Sequence, residues 1–123
     1  MPDNKSEDTL QPLPDNIQAL HREAMKLVDQ AVLARQAGDT ERVLKIAIEA
    51  FEKERAAADL VADRLDLEPT RAVLNRSAAT LAIECGKLRD AERLIGRALA
   101  GDPPEGITDE LRGLLMEEVY SQL

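Results

Sequence analysis

The chain has 123 residues, enough for one domain with a buried core, and its 24 acidic and 16 basic residues give a net charge of −8. This acidic balance disfavours non-specific binding to nucleic acid or to anionic lipid, because both need a positively charged protein surface. The apolar residues are mostly Ala and Leu, and Phe51 and Tyr120 are the only aromatic residues. That composition is typical of helices rather than strands.

Residues 1–14 are polar and acidic and contain Pro2, Pro12 and Pro14. This composition predicts a disordered tail, followed by a single helical domain at residues 15–123. The first residues lack the apolar stretch of a signal peptide, and no apolar run approaches the roughly 18 residues of a membrane span. We therefore predict a cytoplasmic protein that does not bind a membrane.

Apolar residues that recur at three- and four-residue steps predict five helices and no strand. The first two cover residues 15–37 and 40–66, and the other three cover residues 69–85, 88–100 and 108–121. Asp15 and Gln18 resemble a capping box at the first helix, and Thr40 and Thr108 can cap the second and the fifth. The second helix is unusually long because no Gly or Pro interrupts it before Pro69.

Two of the predicted helical hairpins have a glycine at the turn, Gly38 in the first and Gly86 in the second. When these two glycines are aligned, small residues fall at matching positions in the flanking helices. Coincidence is an alternative because Ala is common in this chain, but the shared order of helix, glycine and helix favours an internal repeat. The matching pairs are Ala31 with Ala79, Ala34 with Ala82, and Ala50 with Ala98.

The second hairpin resembles a tetratricopeptide repeat, a unit with small residues, a turn glycine, a large apolar residue and a closing proline at fixed positions. Gly113 follows Ala79 by 34 residues, the period of that family, so the fifth helix begins a truncated third unit. The first hairpin departs from the pattern, because Gly38 and Gly86 are 48 residues apart. The fixed positions of the second hairpin are occupied by Ala79, Ala82, Gly86, Ala91, Ile95, Ala98 and Pro103.

The chain is thus similar to a diverged bacterial tetratricopeptide-like protein. The resemblance implies an all-α fold of antiparallel helical hairpins in a short right-handed array, and a role in binding. The family binds peptides on a concave face formed by the first helix of each unit, where Arg76 would orient a partner carboxylate. The alternative is that the long second helix covers these residues as core. The candidate residues on this face are Val28, Val32, Arg35, Arg76, Thr80 and Ile83.

The sequence contains little that points to catalysis. His21 is the only histidine and Cys85 the only cysteine, so no His pair and no Cys set can hold a metal. We interpret His21 as a surface residue and Cys85 as a small core residue. Phosphate-binding glycine loops and the nucleophile motifs of hydrolases are missing from the sequence. We therefore predict a protein that is not an enzyme and has neither a cofactor nor a metal.

Two functions remain open. The first is a non-catalytic interaction module that binds a peptide or helix of an unknown partner protein. The second is a structural protein that associates with itself and buries apolar helix faces in a homodimer. Three arginines at four-residue spacing, Arg89, Arg93 and Arg97, share one face of the fourth helix. This stripe could attract an acidic partner, or it could pair with neighbouring Asp90 and Glu92.

Overall fold

A computed structural model describes residues 13–123, and this part of the chain folds into five α-helices. A single turn of 3₁₀ helix, Leu65–Leu67, joins the second helix to the third, and a π-helical turn, Leu114–Val119, continues the fifth. The described residues contain no strand, so the predicted all-α fold is confirmed. The helices are α1 (Asp15–Gln36), α2 (Thr40–Leu60), α3 (Thr70–Glu84), α4 (Leu88–Leu99) and α5 (Glu105–Gly113).

The order of packing follows the order of the chain, with α2 lying between α1 and α3. The backbone of α3 also lies against α4, and α5 lies against both α3 and α4. No Cα atom of α1 comes within 8 Å of a Cα atom of α3. Small side chains on the facing sides allow neighbouring helices to pack closely. The alanines with no exposed surface include Ala50, Ala57, Ala58, Ala78, Ala79, Ala82, Ala91 and Ala98.

The turns at Gly38 and Gly86 have the same geometry. The two glycines have φ angles of +77° and +74°, which residues with a Cβ adopt only with strain. Both turns are Schellman motifs, in which the residue after the glycine donates a backbone hydrogen bond five residues back. These bonds run from Asp39 to Ala34 and from Lys87 to Ala82, at 3.0 and 2.8 Å. The two hairpins therefore have the same type of turn, while their stacking as repeats stays a prediction.

The predicted end of the second helix is wrong, because α2 ends at Leu60 rather than near residue 66. The chain turns at residues 61–63 and forms the 3₁₀ turn before α3 begins. This bend places both Val61 and Leu67 in the core, with 0% and 9% of their surface exposed. The burial of Leu67 therefore favours the bend over a longer helix, although no Gly or Pro marks the position.

Helix starts also differ from the prediction. Pro14 rather than Asp15 occupies the N-cap of α1, and Gln18 donates its side-chain N–H to the carbonyl of Leu13 at 2.8 Å. Asp39, not Thr40, caps α2 by accepting from the backbone N–H of Arg42 at 3.1 Å. The start of α5 is Glu105 rather than residue 108, because Pro104 takes its N-cap position.

Leu13, which the prediction placed in the tail, belongs to the main core together with Ile17. Each of the two side chains keeps only 4% of its surface exposed. Leu13 thus packs against the core, although the sequence analysis places it in the tail. Residues 1–12 of that predicted tail lie outside the described residues.

Candidate functional site

The six predicted binding residues do not line one shared groove. Val28, Val32 and Arg35 of α1 border a narrow gap of about 30 Å³ that is closed by Leu81 and Glu84 of α3. Val32 keeps 41% of its surface exposed beside this gap, so α2 does not cover it. A gap of this volume offers little room for a side chain of a partner.

Arg76 and Thr80 line a different and larger space, a cleft of about 440 Å³ between α3 and α5. We call it the α3–α5 cleft. The sixth candidate, Ile83, is half-buried and packs against the core. The structure thus brings only two of the six candidates to a cleft large enough for a ligand. The full lining of the cleft is Arg76, Thr80, Glu110, Gly113, Leu114, Glu117 and Glu118.

The depth of the cleft depends on Gly113, which stands in the wall formed by α5. Its backbone is helical, with φ −60° and ψ −46°, so glycine is not required there by conformation. A Cβ atom at this position would meet Oε1 of Glu117 at 3.5 Å, an ordinary contact distance. The missing side chain therefore leaves open space beside half-buried Leu114, which supplies an apolar surface inside the cleft.

Arg76 is already paired inside the α3–α5 cleft. Its Nη1 donates to Oε2 of Glu110 at 3.0 Å, and the two side chains are 28% and 60% exposed. Thr80 donates its hydroxyl to the backbone carbonyl of Arg76 at 3.1 Å. A carboxylate of this chain therefore lies beside Arg76, and the predicted role of Arg76 in orienting a partner carboxylate stays a prediction.

The remaining charge of the cleft comes from Glu117 and Glu118. Both residues are exposed, and neither carboxylate forms an ion pair or hydrogen bond with any residue that the structure describes. Since Arg76 and Glu110 balance each other, the cleft carries a net negative charge. Within residues 13–123 no group of three or more His, Cys, Asp or Glu side chains could hold a metal ion.

Contacts at both ends of the segment 111–120, which spans the end of α5 and the π-helical turn, hold the wall of the cleft in place. Leu111 and Val119 are fully buried against the rest of the core. Beyond the π-helical turn, the hydroxyl of Tyr120 donates to Oε2 of Glu92 on α4 at 2.9 Å. This hydrogen bond, with a further one from Arg89, lowers the pKa of the Glu92 carboxyl. The segment is thus fixed by packing on one side and by a charged hydrogen bond on the other.

His21 is half-buried and paired, rather than the lone surface residue that the sequence predicts. Its side chain is 20% exposed, and Nδ1 lies 3.0 and 2.9 Å from the two carboxylate oxygens of Glu54, which is fully buried. The hydrogen bond with Glu54 raises the pKa of His21 above its ordinary value of 6.5. The sequence carried a signal for this pair, because Glu54 continues the apolar spacing of Ala50 and Ala57 along α2.

Sequence reasoning also missed the buried arginine at the start of α3. Only 1% of Arg71 is exposed, and its guanidinium donates to the backbone carbonyls of Ala62, Arg97 and Ala98 at 3.1, 3.2 and 2.9 Å. Its Nε lies 3.1 Å from Oε2 of Glu68, an ion-pair distance without hydrogen-bond geometry. Arg71 therefore joins the ends of α2 and α4 through hydrogen bonds within this chain.

The arginines of the α4 stripe are also paired within the chain. Each of the three guanidinium groups forms an ion pair, which supports the interpretation as a paired helix face over that of a site for an acidic partner. The pairs are Arg89 with Glu92, Arg93 with Asp90, and Arg97 with Asp59, at 3.0, 3.3 and 2.9 Å.

Cys85, at the end of α3, is half-buried, and burial raises the pKa of its thiol.

None of the helices in the described part of the chain is both long and apolar enough to cross a membrane. The sequence matches no protein-family model, and we find no significant similarity to a curated protein or to a solved structure. The resemblance to tetratricopeptide repeats therefore rests on the sequence pattern and stays a prediction.

Proposed function

We propose that the protein is a non-catalytic interaction module that binds a segment of a partner protein in the α3–α5 cleft. One observation carries this proposal, namely a concave space of about 440 Å³ with an apolar surface at Leu114 and polar groups around it. Binding sites of this kind combine desolvation of apolar surface with a few polar groups that fix orientation. Arg76 and Thr80 connect the cleft to the face that the sequence predicts for binding.

The arrangement of the helices supports a peptide or a helix as the ligand. The cleft runs between α3 and α5, and its lining includes residues three and four positions apart, such as Glu110 and Gly113 on α5 and Glu117 in the π-helical turn that continues it. A partner segment lying along these helices can place side chains at matching intervals. If α3 and α5 are the first helices of successive repeats, this is the surface on which tetratricopeptide arrays bind their partners.

Self-association is the second candidate, and a separate surface favours it. Met116, Tyr120 and Leu123 are 63%, 45% and 50% exposed at the end of the chain. Met116 lies in the π-helical turn Leu114–Val119, and Tyr120 and Leu123 follow directly after it. Light scattering over a range of protein concentrations tests this candidate. A dimer that Met116→Glu converts to a monomer would support self-association over the interaction module.

A selection of displayed random peptides tests the interaction module. The informative variant is Gly113→Leu, because a side chain at this helical position fills the cleft and meets no backbone clash. The matched control is Gly106→Leu on the same helix. Gly106 does not line the cleft, and a Cβ atom there has nothing within 4 Å. We expect wild type and the control to enrich the same peptides and Gly113→Leu to lose them. Loss in both variants, or in neither, contradicts the proposal.

A further inference from the structure

We propose that the partner segment in the α3–α5 cleft is basic, and that a Lys or Arg side chain of the partner binds to the carboxylates of Glu117 and Glu118. This inference rests on the proposed function and specifies the chemistry of the partner. Its basis is a cleft whose charges are unequally satisfied. Arg76 and Glu110 are paired at 3.0 Å, whereas Glu117 and Glu118 have no charged partner among residues 13–123.

The shape of the cleft fits a long cationic side chain. Lys and Arg carry an aliphatic stem that packs on apolar surface while the charged group remains near water or a carboxylate. Leu114 offers such a surface, and the absence of a side chain at Gly113 leaves room for the stem. The head group would then reach the exposed carboxylates of Glu117 and Glu118 at the edge of the cleft. A neutral or acidic side chain would leave these carboxylates unpaired.

Two other occupants fit the same charges less well. A bare metal ion needs several ligands at short distance, and the described residues contain no suitable group of three. A second copy of the chain would bring like charges together, because the segment 105–119 carries five acidic residues and one basic residue. Like charges placed opposite each other disfavour association. A basic segment of another protein complements both the cleft and the rest of α5.

The test uses the peptides that wild type enriches from the displayed library. Each is synthesised with a fluorescent label in two forms, the selected sequence and a form with every Lys and Arg replaced by Gln. Fluorescence anisotropy then gives the dissociation constants for three proteins. These are wild type, the double variant Glu117→Gln/Glu118→Gln, and the control Asp29→Asn/Glu52→Gln, which removes the same charge from exposed positions of α1 and α2.

We expect the enriched peptides to be basic and the cleft variant to bind them about tenfold more weakly at low salt, with less than about twofold loss in the control. The difference should shrink at high salt, because exposed charges are screened. Equal losses in the two double variants would overturn the inference, because they would reflect net charge alone. Enriched peptides without basic residues would also overturn it, while their loss on Gly113→Leu would leave the proposed function intact. A library that yields no peptide would contradict both.

Discussion

Nδ1 of His21 lies within 3.0 Å of both carboxylate oxygens of Glu54, and the Glu54 side chain has no exposed surface. The pair joins the first half of α1 to the second half of α2. In the part of the chain that the structure describes, His21 is the one residue seen to hydrogen-bond the Glu54 carboxylate. A buried charge needs such a partner, because water cannot solvate it.

Removing His21 alone should destabilise the protein strongly. His21→Ala leaves the Glu54 carboxylate buried without a partner, and we expect a loss of about 3 kcal/mol in the free energy of unfolding. The double variant His21→Leu/Glu54→Met removes both polar groups and should lie within about 1 kcal/mol of wild type. Urea denaturation measures both effects. The exposed pair of Lys53 and Glu23 is the control, since Glu23→Ala should cost less than about 1 kcal/mol.

The same pair predicts a pH dependence of stability. Its hydrogen bond raises the pKa of His21 in the folded protein, so that between the ordinary value of 6.5 and the raised pKa the folded state binds more protons than the unfolded state. The contribution of His21 is therefore fully present below 6.5 and is lost as the pH rises through the raised pKa. The free energy of unfolding should fall over this window in wild type. A variant with His21→Leu/Glu54→Met that shows the same fall would contradict this assignment.

Gly101 should tolerate no side chain, because of its contact with Arg71. A Cβ atom at Gly101 would overlap the Arg71 guanidinium and lie 2.8 Å from Oε2 of Glu68. Arg71 cannot move aside without losing its backbone hydrogen bonds, so Gly101→Ala should cost about 2–3 kcal/mol. Gly96→Ala is the matched control, because its Cβ meets nothing within 4 Å and Ala favours a helix by up to about 1 kcal/mol. If thermal denaturation gives both variants the midpoint of wild type, the contact between Gly101 and Arg71 is excluded.

Ala82 and Ala91 should control the approach of α3 to α4. Neither has any exposed surface, and the two helices pack on each other. Leu at either position adds volume to a filled core and should lower the free energy of unfolding by about 1–3 kcal/mol. Chemical denaturation of Ala82→Leu and Ala91→Leu measures this cost. Midpoints equal to that of wild type in both would mean that the two alanines lie away from the crossing of α3 and α4.

The fold was predictable where local residues mark the helix ends. Gly86 ends α3 through a Schellman motif, and Pro69 stands just before α3 as its N-cap. The end of α2 was not predictable in this way, because its position depends on the burial of Leu67 against distant parts of the chain. Periodicity alone cannot distinguish a helix that continues from one that bends into the core.

The site was predictable only in part. The 34-residue period of tetratricopeptide repeats predicts that the fifth helix is the first helix of the unit after the one that α3 begins. Arg76 and Thr80 of α3 do face the fifth helix across a cleft. The pairing of Arg76 with Glu110 was not predicted, because it depends on how two helices 34 residues apart meet in space. The burial of Glu54 and Arg71 was not predictable from helical spacing, because it depends on partners that other helices and loops supply.

Binding of a partner segment in the α3–α5 cleft can be observed directly at the residues that line it. The most direct measurement is a titration of ¹⁵N-labelled protein with an enriched peptide, in which NMR spectra record the chemical shifts of the backbone amides. We expect the largest shift changes at Arg76, Thr80, Gly113 and Glu117, and we expect Gly113→Leu to abolish them. Changes confined to the exposed apolar end at Met116, Tyr120 and Leu123, or to α1 and α2, would contradict binding in this cleft.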